Sequence, residues 1–171
     1  MSEDSGDCFF EAIYETALSK GNLYKIVAIL GYTKTIPDIN TFVRAFRNCM
    51  SNFILEGLND DVIAKSYQTF KEYSDEVRII VSKTMPQWSR DLLLSMPELD
   101  EFRKIYAYEI RKPGSLISEI DCAIATAFLL TCDIRLRVWM DGIRPAFKED
   151  PDEVILYYDS LNEDFKHPNN G

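Results

Sequence analysis

The stretch Asp4-Ser5-Gly6-Asp7-Cys8-Phe9-Phe10-Glu11-Ala12-Ile13-Tyr14 decides how the chain is read. A polar turn gives way there to an apolar helical pattern, with a cysteine at the junction. Phe9, Phe10, Ile13, Tyr14, Ala17 and Leu18 fall near helical spacing on one broad face, which predicts a helix over Cys8–Lys20. Gly21 is the expected left-handed stop. A helix start favours a thiolate, because its backbone N–H groups and macrodipole stabilise negative charge. Amides of the turn Ser5, Gly6, Asp7 and Cys8 would suit an oxyanion growing on an attacked carbonyl. Gly6 would let backbone approach a substrate without an intervening side chain. The same position also fits a small structural residue near a chain end.

Past this helix, Leu23–Leu30 reads as a short helix closed by Gly31. Ile39, Phe42, Val43, Phe46, Cys49, Met50, Phe53 and Ile54 repeat at three and four, an amphipathic helix of about five turns. Gly57 and Asn59 break it. A second such pattern covers Asp60–Ser82, Pro86 and Pro97 punctuate the next stretch, and a last helical piece spans roughly Glu98–Tyr108. The Phe42, Phe46, Phe53 stripe is core by its spacing. After the turn Lys112-Pro113-Gly114, Ser118 is placed to cap a helix running to about Leu130. Glu119 and Asp121 at its start are read as carboxylates favoured by the helix dipole. Ile134–Trp139 alternates apolar and basic residues, the period of a half-buried strand whose Arg135 and Arg137 face solvent. Asp141-Gly142 is a hairpin-type turn, Glu153–Tyr158 a second strand, and Asp159–Gly171 a polar loop. No internal repeat or linker stands out, so one domain is expected.

Composition narrows the function. With 171 residues, 46% of them hydrophobic, the chain suits one folded domain. Its net charge of −9 argues against nucleic acid, which needs clustered Lys and Arg, and suits a basic partner as well as plain solubility. The longest apolar run, near Ile120–Leu130, falls short of the roughly 20 residues a membrane span needs, so no membrane role is expected. Residues 1–7 are acidic and polar, unlike a signal peptide. Cys8, Cys49, Cys122 and Cys132 are scattered, and one histidine accompanies them. That set is a poor metal site and a poor disulfide framework. A reducing, cytoplasmic compartment, no metal and no cofactor are therefore expected.

A cysteine nucleophile needs a base, and His167 is the only histidine. Asn169 stands two residues on, the spacing that puts both side chains on one side of an extended segment. It would then fix the imidazole tautomer, the third role in a Cys-His-Asn arrangement. The bland reading is an exposed histidine in a frayed tail. Asp4 and Asp7 are turn and cap residues on this reading, either of which would also help to orient the site.

Three blocks, in order, resemble the ovarian-tumour (OTU) family of cysteine deubiquitinases. Ser5-Gly6-Asp7-Cys8-Phe9-Phe10-Glu11-Ala12-Ile13 is similar to its nucleophile motif. Ser118-Glu119-Ile120-Asp121-Cys122-Ala123-Ile124-Ala125, followed by Ile134–Trp139, resembles its Ser-Glu-Ile helix and following strand. Ile155-Leu156-Tyr157-Tyr158 with a downstream His-x-Asn resembles its closing strand and His-aromatic-Asp/Asn. The resemblance covers roughly Ser5–Ile29 and Pro113–Asn169, and the helical block at about 37–109 carries no counterpart residue by residue. Ser5 stands where the family has Asp, Leu116 or Ile117 where it often has Trp, and Pro168 where an aromatic follows the histidine. Either His167 is the base in a short terminus, or the functional histidine lies beyond Gly171.

The resemblance implies a papain-like OTU fold of the α/β (α+β) class, a small central sheet flanked by helices with an enlarged helical region. It implies a thiol isopeptidase acting on ubiquitin or polyubiquitin, working as a monomer without nucleic acid or membrane. Cys8 would be the nucleophile, His167 the base, Asn169 its orienting partner, and the Ser5–Cys8 amides the oxyanion hole. The acidic surface would complement the arginines of the ubiquitin tail. A bacterial-effector or viral member acting in a host cytosol fits the divergence and the helical block. Two other readings stay open: an OTU-like ubiquitin-binding module that has lost catalysis, and an unrelated helical interaction protein without a central sheet.

Overall fold

The structure, a computed structural model, describes residues 6–57, 61–83, 85–115, 119–140, 151–159 and 164–166. Within these, helices α1 (Asp7–Lys20), α2 (Leu23–Ile29), α3 (Ile39–Glu56), α4 (Val62–Glu72), α5 (Asp75–Ser82), α6 (Gln87–Ser95), α7 (Leu99–Arg111) and α8 (Glu119–Leu130) precede strands β1 (Arg135–Met140), β2 (Glu153–Asp159) and β3 (Asp164–Lys166). The class is α+β, mostly helical with one small sheet.

The helices start and stop where local chemistry dictates. Gly21, at φ 79°, ends α1: its N–H bonds to Leu18 O at 3.2 Å and that of Asn22 to Ala17 O at 3.1 Å. This is the paired closure a left-handed residue permits. Asp38 caps α3 by accepting the Thr41 N–H at 2.8 Å. The α3 stripe of Phe42, Val43, Phe46, Met50 and Ile54 is buried. The pattern over Asp60–Ser82 is two helices rather than one. Ser74 interrupts it by accepting the Val77 N–H, with Asp75 and Glu76 in the new first turn, a helix-start signature on both counts. Helix α6 fills the interval between Pro86 and Pro97, where the sequence reading marked only punctuation. Its companion α5 buries only Ser82 and leaves Val77, Ile79 and Ile80 exposed.

The sheet order is β1-β2-β3. β1 and β2 are parallel, with Leu136 opposite Val154 and Val138 opposite Leu156. β2 and β3 are antiparallel, with Tyr157 opposite Lys166 and Asp159 opposite Asp164. Asp141 and Gly142 lie outside the described residues. A two-residue hairpin does not join β1 to β2, however, because parallel neighbours need a crossover back to the starting edge. The segment read as a polar loop after Asp159 contains β3, whose three residues are too few to show a period. Ile134 and Leu136 are buried and Arg135 is exposed, the alternation expected of β1. Glu153, Val154, Ile155 and Leu156 are all buried, so β2 is covered on both faces.

Helix α1 packs on β2 and β3, and α8 on β1. The C-terminal end of α1 is tied to the start of β2: Lys20 Nζ donates to Glu153 O, and Asn22 Nδ2 to Pro151 O at 3.0 Å. From that anchor α1 leads back toward the far end of β2, where β3 pairs. The helical block over 37–109 shares this core rather than standing apart from it. Phe46 of α3 lies 5.3 Å, centroid to centroid, from both Phe10 of α1 and Phe128 of α8.

Candidate functional site

Cys8 is the second residue of α1 and is half-buried. The helix begins without a side-chain cap. The turn ahead of Cys8 is held instead from across the sequence. Gly6 N–H donates to Gly114 O at 3.2 Å, and Gly114 N–H returns a bond to Asp7 Oδ1 at 3.1 Å. Gly114, at φ 77°, occupies the left-handed conformation that glycine adopts without strain. Gly6 itself is in an ordinary right-handed conformation, φ −65°, and its amide serves the α7–α8 turn.

At the back of this turn is Arg47, wholly buried on α3. Its Nε and Nη2 both lie 2.8 Å from Asp7 Oδ1, Nη1 donates to Ile110 O at 2.9 Å, and Nη2 to Ser115 O at 2.9 Å. The guanidinium also sits 4.6 Å over the Phe10 ring. A planar fork of donors satisfied on several sides is what makes a buried arginine tolerable. It ties α1, α3, the end of α7 and the turn after it together at the residue before Cys8. Burial pulls its pKa below the usual arginine range, opposed by the bond to and charge of Asp7 and by the charges of Asp121 and Cys8.

Asp121 departs from the dipole reading. It is buried in the first turn of α8 and accepts a hydrogen bond from the buried Tyr106 hydroxyl of α7. Arg137, read as solvent-facing, is half-buried and lies 3.3 Å from the buried Glu153 carboxylate. Two other thiols are poor nucleophiles. Burial raises the Cys49 pKa and pushes that of Cys132 up to about 11, so both stay protonated near neutrality. Cys122, on α8, is half-buried.

Of the residues singled out from sequence, the structure brings Gly6, Asp7 and Cys8 together at the head of α1. Ser5, His167 and Asn169 lie outside the described residues. β3 ends at Lys166, one residue before His167, and packs against α1. Among the described residues no group of three His, Cys, Asp or Glu is placed to hold a metal, and no helix is long and apolar enough to cross a membrane. Sequence reasoning missed Arg47, although a signal was there. Val43, Arg47, Met50 and Ile54 share one helical face, so a cation stands inside an apolar stripe and requires a buried counterion. No protein-family model, curated protein or solved structure matches this chain.

Proposed function

We propose that the protein is a thiol-dependent deubiquitinase of OTU-like architecture. The observation that carries this reading is the packing of α1, with Cys8 at its head, on β3, the strand that ends one residue before His167. In the proposed reaction the Cys8 thiolate attacks the C-terminal glycine carbonyl of ubiquitin. Amides at the start of α1 stabilise the oxyanion. His167 takes the thiol proton and then protonates the departing lysine amine, Asn169 holds the imidazole, and water hydrolyses the thioester. The net charge of −9 agrees in sign with a basic substrate tail. The parallel pair of β1 and β2 speaks against a purely helical interaction protein, since that alternative has no central sheet.

A panel of ubiquitin dimers incubated with wild type, Cys8→Ala and His167→Ala tests the reading. Cleavage by wild type and loss in both variants is expected. Cleavage by Cys8→Ala would remove the proposal. An active His167→Ala beside an inactive Cys8→Ala would move the base to another residue.

A further inference from the structure

Arg47 is the wholly buried cation among the described residues, and it is directed at the residue before Cys8. Its counterion, Asp7, is about 28% exposed and adjoins the thiol in sequence. A carboxylate next to a thiol disfavours the thiolate, and an arginine beside that carboxylate offsets it. The Asp7 Oδ1 atom accepts from Arg47 and from the Gly114 amide together, so the offset is locked into one geometry. We propose that Arg47 is a positioning residue for Cys8: its bonds hold the Gly6–Cys8 turn, and its fixed positive charge cancels that of Asp7 beside the thiol. This rests on Cys8 being the nucleophile, not on ubiquitin being the substrate.

Other charged residues lie on α1 and on the elements near it. On α1 they are Asp7 and, one turn on, Glu11. From α8 comes Asp121, bonded by Tyr106 of α7. β3, packed on α1, contributes Asp164 and Lys166 to the sequence there. Lys20, Lys25, Asp152 and Glu153 gather at the opposite end of the helix, around the start of β2. Burial lowers the Arg47 pKa, and the charges of Asp7 and Cys8 both work against that lowering. Such coupling is reciprocal, so Arg47 favours the thiolate as the thiolate favours Arg47.

The test is the pH dependence of iodoacetamide labelling at Cys8, read by peptide mass mapping, in wild type, Arg47→Met, Asp7→Asn and the double variant. Arg47→Met raises the midpoint by about one pH unit, Asp7→Asn lowers it, and the double variant returns close to wild type. Equal midpoints in all folded variants, with only thermal stability changed, would leave Arg47 a purely structural role and overturn the proposal. If Arg47→Met does not fold, Asp7→Asn decides alone: a lowered midpoint supports the charge offset and an unchanged one refutes it. Capture by a ubiquitin probe is read separately. Shifted midpoints without capture remove the ubiquitin reading and keep Arg47; capture with unshifted midpoints does the reverse.

Discussion

Arg47 Nε on α3 and Asp7 Oδ1 at the head of α1 stand 2.8 Å apart across 40 residues of sequence. The geometry of the Cys8 turn is therefore a property of the core and not of the N-terminal segment alone. Removing one member of a buried pair leaves the other uncompensated, at about 3–5 kcal/mol. Arg47→Met should lose about 3 kcal/mol in urea denaturation, since it also strands the Ile110 and Ser115 carbonyls. Asp7→Asn keeps an accepting oxygen but leaves the wholly buried guanidinium without its counterion, and should lose a comparable amount. A loss below about 1 kcal/mol for Asp7→Asn would mean the guanidinium is held mainly by its fork of bonds and not by charge.

The Tyr106–Asp121 bond makes a second prediction. Both residues are buried, so Tyr106→Phe takes a donor from a carboxylate that water does not readily reach. That should cost about 1–3 kcal/mol. A phenylalanine that left the unfolding midpoint unchanged would show that Asp121 is fully satisfied by its other neighbours.

Asp61 and Arg103 form a two-pronged pair, with Nη1–Oδ1 at 3.0 Å and Nη2–Oδ2 at 2.7 Å, and Asp61 also caps α4 through the Ala64 N–H at 3.1 Å. The Arg103 bond holds the Asp61 carboxyl below the usual carboxylate range. A depressed folded value means the contribution is full above the unfolded value, about 4, and fades as pH falls through the folded one. Asp61→Asn should therefore lose about 1 kcal/mol at pH 7, with the gap to wild type narrowing below about pH 4. A gap that stayed constant from about pH 7 to about pH 3 would assign the effect to the cap alone.

The thiols should separate in reactivity. Cys49 and Cys132 are held protonated by burial, the latter to about 11. At pH 7, iodoacetamide should modify Cys8 at least about tenfold faster than Cys132 in the folded protein. Faster labelling at Cys132 would contradict the proposal that Cys8 is the activated thiol.

The ends of α1, the five-turn α3 and the strands over β1 and β2 were legible in the sequence because each rests on local information. Apolar spacing, Gly21 and Gly57 at φ 79° and 58°, and the alternation after Ile134 suffice for these. The split at Ser74 was hidden because one stripe of apolar residues runs through both helices, and only the cap chemistry marks the seam. Helix α6 is nine residues between two prolines, and β3 is three; neither is long enough to display its period. The site was half legible. Cys8 announces itself by its place at the polar-to-apolar junction. The apolar stripe of α3 flags Arg47 as a buried cation, but its partner Asp7 is 40 residues away and Tyr106, the partner of Asp121, is 15 away, and no local pattern pairs them.

The proposed function stands on attack by Cys8 at the C-terminal carbonyl of ubiquitin. Incubation with ubiquitin carrying a C-terminal electrophile, followed by mass mapping of any adduct, measures that step without intermediaries. One covalent ubiquitin per chain is expected, attached at Cys8 and abolished by Cys8→Ala. A folded wild-type protein that forms no adduct, or one that forms it at Cys49, Cys122 or Cys132, would contradict the proposal.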